Sequence, residues 1–219
     1  MSGWQVISTA RRVTYCPIAL ALRDEFSGGG PLSTPQLLLD RLVGTSWQAT
    51  GIAPVLTSGG IFGWPGLGRS PDPAVASPAH VRVRIALAHQ IALYQSTDDG
   101  LEFDIPPYND AQPPAATMLM PQIVLLVPGP SYPFSPGLRV LRGRVLDAGG
   151  QPVSDATIVA DGIERAMSGT SGGFSLPLRW QQLSGNVAID VTHPRSGMAA
   201  SVQATLPGDL AQSFDITVS

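Results

Sequence analysis

Apolar and polar residues alternate with period two along most of the readable stretches of this 219-residue chain. Val81, Val83, Ile85, Leu87, His89, Ile91 and Leu93 fall on one face, and Arg82, Arg84, Ala86, Ala88, Gln90 and Ala92 on the other. Successive side chains of an extended backbone point to opposite faces, so this pattern predicts a half-buried strand or two strands in line. Ile18, Leu20 and Leu22 repeat it near the start. Further β-prone apolar runs cover 123–127, 157–160, 174–180, 187–191, 200–206 and 214–218, with turn residues between most of them. Many short strands at such spacing predict an all-β protein built from β-sandwiches. Residues 35–43 stay open between strand and helix. Thr34 offers an N-cap and Pro35 a first-turn proline ahead of Leu37, Leu38, Leu39, Asp40, Arg41 and Leu42, yet the run is short enough for either.

Proline divides the pattern. Nine prolines fall between Pro106 and Pro136, and the stretch 128–137 reads PGPSYPFSPG. Each proline lacks the amide donor a sheet ladder requires, so this stretch predicts a stiff, extended linker. Its Tyr132 and Phe134 predict that it packs against something. The expected layout is a β-sandwich-like domain over 1–127, a Pro-rich linker over 128–137 and a second β-sandwich over 138–219.

Charge narrows the functional classes. All 13 cations are arginine, which removes a P-loop lysine, Schiff-base chemistry and a lysine general base. A net charge of -3 offers no electrostatic footprint for nucleic acid. The single cysteine, Cys16, cannot form an internal disulfide. Arg11 and Arg12 precede Cys16 and a short apolar run that stops at Arg23, Asp24 and Glu25, which reads as a strand and not as a signal peptide. No apolar stretch approaches the roughly 18–20 residues of a membrane span, so synthesis in the cytoplasm is expected. Only 13% of residues are charged, about half the ~25% usual for soluble domains. Such a surface is more easily kept soluble when neighbouring subunits cover part of it.

The segment after the linker carries a resemblance. Arg142-Gly143-Arg144-Val145-Leu146-Asp147-Ala148-Gly149-Gly150-Gln151-Pro152-Val153, then Ala156-Thr157-Ile158-Val159 and Thr170-Ser171-Gly172-Gly173-Phe174-Ser175-Leu176, resemble the carboxypeptidase regulatory-like (transthyretin-like) module. Its pattern is a G-x-V-x-D strand, a D-x-x-G-x-P-V turn, an A-x-V strand and a T-D-x-x-G-x-F-x-L hairpin, with Ser171 here where Asp is frequent. The resemblance covers 138–219 and implies a seven-stranded sandwich used as a spacer or interaction module, without peptidase chemistry. Thr57-Ser58-Gly59-Gly60-Ile61-Phe62 echoes the hairpin of the second half. A tandem of two sandwiches (transthyretin-like or Ig-like) would account for that echo, as would chance similarity of Gly/Ser turns.

Candidate chemistry is thin. Gly169-Thr170-Ser171-Gly172-Gly173 fits G-x-S-x-G, with Asp190 and His193 following. The nucleophile elbow needs a helix after the serine, whereas Phe174 onward reads as a strand. His80, His89 and His193 lie in neither H-x-x-E nor H-E-x-x-H, so no zinc site is expected. Intradiol dioxygenases hold iron with two Tyr and two His on a similar sandwich, but 138–219 has no tyrosine and one histidine. Asp98-Asp99-Gly100 and Tyr108-Asn109-Asp110 lack calcium-loop spacing. No catalytic residue, metal or cofactor is therefore expected, and the chain reads as a non-enzyme. Among the aromatics, Trp180 at a strand end reads as core, while Trp4, Trp64, Tyr132 and Phe134 are the interface candidates, since aromatic anchors concentrate binding energy. The whole layout resembles accessory proteins of phage-like contractile tail or injection particles. That implies an oligomeric or assembled subunit whose partners are tail, sheath or baseplate proteins. A cell-surface carbohydrate-binding or adhesion module is the alternative.

Overall fold

The computed structural model describes residues 14–85, 93–94 and 100–219. Trp4, Arg11, Arg12, His89, Asp98 and Asp99 lie outside them, as does the alternation expected over 86–92. The described residues form strands β1 (Ala19–Asp24), β2 (Leu37–Val43), β3 (Ser46–Ala49), β4 (Val55–Leu56), β5 (Ile61–Gly63), β6 (Ala79–Ile85), β7 (Leu101–Ile105) and β8 (Gln122–Leu126). They continue with β9 (Val140–Asp147), β10 (Thr157–Ala160), β11 (Glu164–Met167), β12 (Gly173–Pro177), β13 (Gly185–Thr192), β14 (Ala199–Leu206) and β15 (Ile216–Val218). The helical elements among these residues are two single 3-10 turns, Ala116–Leu119 and Gly208–Ala211. The protein is all-β, with four sheets ordered β4-β5-β1-β8, β3-β2-β6-β7, β11-β10-β13-β14 and β12-β9-β15.

Packing divides the chain into two compact units. One gathers the described residues of Met1–Ala21 with Leu39–Arg82 and Glu102–Gln122; the other gathers Leu22–Leu38, Val83–Leu101 and Ile123–Ser219. Each unit thus collects separated stretches of sequence, whereas the layout expected from the linker is a linear cut.

In the first unit, residues 39–43, left open between helix and strand, are strand. Asp40 to Val43 pair with Ala49 to Ser46, and Gly44 supplies the positive φ of 63° that so tight a hairpin requires. A run this short gains little as an isolated helix, while a paired strand satisfies its backbone along its length. β1 pairs with β5 so that Ala19 faces Gly63. A side chain at Gly63 would meet Cys16 Sγ, so the thiol occupies the space a Cβ would need. Ile18, Leu20, Phe62, Trp64, Val81, Ile105 and Tyr108 form the buried interior of this unit.

In the second unit the four-stranded and three-stranded sheets of 140–218 feed one hydrophobic cluster. β13 buries Val187, Ile189 and Val191 and exposes the residues between them, the alternation its sequence dictates. β9 contributes Leu141 and Val145. Between them, Gly143 lets the carbonyl of Phe214 lie against the strand, where any Cβ would collide with it. β15 then runs parallel to β9, Ile216 opposite Val145. At the sheet edge, β14 has the amide of Ala199 donating to Ser219 O and that of Thr205 to Asp209 Oδ2. Occupying edge amides in this way discourages pairing with another chain.

The two Gly/Ser turns that echo each other in sequence serve different connections. Thr57–Gly60 joins β4 to β5, which pair with each other, whereas Thr170–Gly172 joins β11 to β12, which belong to different sheets.

Candidate interaction surface

β12 ends at Pro177, and Leu178 remains buried with its amide bonded to Arg139 O. The chain then turns outward. Trp180 is 70% exposed and Leu183 78% exposed, while Gln181 between them is 7% exposed. Trp180 is therefore a surface residue and not the core residue its place at the end of an apolar run predicted. The strand stops three residues earlier than the run, and the indole projects from the loop instead of from the sheet.

Two arginines hold this loop. Arg139 donates Nη2 to Gln181 O and Nη1 to Gln182 O, both at 2.6 Å, so one planar fork fixes two consecutive carbonyls. Arg179 bonds both carboxylate oxygens of Glu164, through Nε to Oε1 and Nη2 to Oε2, and donates Nη1 to Phe26 O at 2.7 Å. Its guanidinium also lies 4.2 Å from the Phe26 ring centroid and 6.0 Å from that of Trp180. Paired, bidentate contacts of this kind give geometric definition as well as energy. Beside the loop, a cleft of 140 Å³ is lined by Glu25, Glu164, Arg165 and Arg179. Its charges balance, since Arg165 pairs with Glu25 and Arg179 with Glu164. Ile163, on the same cleft, is exposed. The arrangement displays large apolar side chains on a held backbone, which suits contact with a partner surface.

Two of the residues expected at contacts, Trp64 and Tyr132, are buried within the protein. Trp64 is 1% exposed, with its indole N–H donating to Ile52 O at 3.2 Å. Tyr132 is buried in an aromatic group with Phe26, Tyr94 and Phe134, and Phe134 is half-buried there. Trp4 lies outside the described residues. The group surrounds Asp24, a buried carboxylate that accepts from Tyr132 Oη at 2.6 Å, Tyr94 Oη at 2.8 Å and the amides of Phe26 and Ser27. Burial alone would push the Asp24 carboxyl up, but the bonds from Tyr132, Ser27, Tyr94 and Phe26 together outweigh it and hold the carboxyl below its ordinary range. Burial, with the Asp24 carboxylate adding to it, pushes the Tyr94 hydroxyl up to about 12.

The other singled-out residues have partners of their own. Asp190 accepts from Ser201 Oγ at 2.7 Å, and His193 Nδ1 bonds Ser196, while Ser171 sits exposed in its turn. Asn109 Oδ1 accepts the amides of Ala111 and Gln112, and Asp110 pairs with Arg69 at 2.6 Å. One cluster was missed in the sequence. His80 Nδ1 lies 2.6 Å from Asp104 and Nε2 3.0 Å from Glu102, with its ring 5.4 Å from that of Trp47. The carboxylates sit at opposite ring nitrogens, so the three groups do not converge on one point. Among the described residues no group of His, Cys, Asp and Glu is disposed to hold a metal ion. The signal was present in the alternation of β6 and in the Glu-x-Asp spacing of β7, but which strands are neighbours is a tertiary matter. No protein-family model matches the chain, and no curated protein matches it either.

Proposed function

We propose that this chain is a non-enzymatic structural subunit of a phage-tail-like contractile injection particle, made in the cytoplasm and built into the assembly through contacts with tail, sheath or baseplate proteins. The observation that carries this reading is the loop bearing Trp180 and Leu183, two large apolar side chains in solvent on a backbone fixed by Arg139. Holding a contact loop in place before binding lowers the ordering cost of association. Residues 138–219 serve in this reading as a carboxypeptidase regulatory-like sandwich. The motif resemblance and the cluster shared by a four-stranded and a three-stranded sheet support that reading.

The test is co-expression with the sheath and baseplate proteins of a contractile particle, followed by sedimentation of intact particles. The wild-type chain is expected in the particle fraction at fixed stoichiometry. A Trp180→Ala/Leu183→Ser variant is expected to fall at least tenfold in that fraction while keeping its β circular dichroism. A wild-type chain that never sediments with particles, but is retained on a glycan surface, would replace this reading with the carbohydrate-binding one.

A further inference from the structure

The loop after β12 has its burial reversed. Trp180 and Leu183 stand in solvent, whereas Gln181 between them is buried and neither its Oε1 nor its Nε2 has a hydrogen-bond partner. Large apolar side chains left in water and a primary amide shut away from water without a bond are each unfavourable. Native interiors satisfy almost all such groups, and a local breach of that rule is expected where function has overridden packing.

What opposes this imbalance is the fork of Arg139 on the carbonyls of Gln181 and Gln182. Arg139 is thus a catch on a loop whose side chains gain from the opposite arrangement. Trp180 and Gln181 are consecutive, and consecutive side chains of an extended backbone project to opposite sides, so one twist of the segment carries the indole inward and the amide outward. A receptor for the indole lies beside the loop. The cleft of 140 Å³ approaches the ~150 Å³ that holds a benzene-sized ligand, and Phe26, Pro128 and Ile163 give it apolar walls. Arg179 on the same wall has its guanidinium 6.0 Å from the Trp180 ring centroid, at the outer limit of a cation–π contact that a short inward movement tightens. The charges of the wall are paired, Glu164 with Arg179 and Glu25 with Arg165, so an entering ring strands none of them. Glu25 Oε2 alone on this wall is buried without a partner, and an indole N–H is a donor of the kind it lacks.

We infer that this loop is a two-state latch: with Arg139 engaged it displays Trp180 and Leu183, and in a minor state of the free chain Trp180 docks in the cleft against Arg179 while Gln181 swings into solvent. The docked state withdraws the indole from a partner. That consequence rests on the contact role proposed for Trp180, whereas the equilibrium is a property of the chain alone.

The experiment is fluorine NMR of the full-length protein labelled with fluorotryptophan, with no partner present, the Trp180 signal being the one that Trp180→Phe removes. Saturation transfer is expected to reveal a second Trp180 state at about 1–10% of the population. Its shift should ignore replacement of water by heavy water, to which the main signal responds. Arg139→Ala, which opens the catch, is expected to raise the docked fraction at least threefold. Gln181→Leu, which suits the buried position, should lower it at least threefold. Ile163→Asp, a change at an exposed side chain of the cleft wall, should do the same without touching the interior. The inference is overturned if no second state exceeds about 1%, if the second signal responds to heavy water like the first, or if any of the three variants leaves the fraction unchanged. A single solvent-exposed Trp180 signal removes the latch and leaves the contact role standing, whereas a chain that shows the latch but never enters particles removes only the contact role.

Discussion

The hydroxyl of Tyr132 donates to Oδ2 of Asp24 at 2.6 Å in a buried setting, across 108 residues of sequence. Tyr94 donates to the same oxygen. A tyrosine from the Pro-rich stretch and a carboxylate from the end of β1 are thereby joined in the second unit, and neither can be removed without leaving the other short of a partner.

Tyr132→Phe is expected to lower unfolding stability by about 1.5–3 kcal/mol, the usual range for a bond to a charged group. The pH dependence has a definite sign. The Asp24 carboxyl lies below its ordinary value in the folded chain, so its contribution is fully present above the unfolded value near 4 and is lost as pH falls through the folded value. Urea melts from pH 7 to pH 3 check this. Asp24→Asn should be less stable at pH 7 and should show a flatter decline toward acid.

Arg139→Ala is expected to cost about 1 kcal/mol by removing both bonds to the loop carbonyls. Its clearer effect is local. Hydrogen exchange of amides 180–184 should accelerate while exchange in β13 stays unchanged; equal acceleration in both would mean that the fork supports the whole unit and not the loop.

His80 is held protonated to higher pH than an ordinary histidine, first by its hydrogen bond with Asp104 and then by that with Glu102. The contribution of this cluster is therefore fully present below about pH 6.5 and disappears as pH rises through the folded value. An NMR titration should place the His80 midpoint above 6.5 in wild type and near 6.5 in Glu102→Gln/Asp104→Asn. A wild-type midpoint at or below 6.5 rules the cluster out as an ion pair.

Gly143→Ala should be among the most damaging small changes in the chain, by about 3 kcal/mol or more, because the added methyl meets backbone at Phe214 and not a movable side-chain tip. Ala substitution at Gly208, where nothing lies within 4 Å of the new atom and φ is not positive, is the matched control and should change thermal unfolding little.

The sequence alone determined the strands with clear alternation, such as β13. Val187, Ile189 and Val191 alternate with polar neighbours, and they are buried as that alternation requires. The Pro-rich stretch carries no strand, while its Tyr132, expected at a subunit contact, is buried within the protein. Period and proline chemistry act over a few residues, so they can be read locally. Only the tertiary structure decided which segments share an interior, and therefore which aromatics are hidden. Trp64 and Trp180 both follow short strands, yet one indole finds Ile52 O in the core and the other is left in solvent. The same holds for the candidate surface. Nothing near Trp180 in the sequence announces that Arg139 will reach across to the carbonyls of Gln181 and Gln182. Burial and pairing depend on contacts between residues dozens of positions apart, and local pattern carries no record of which distant segment arrives.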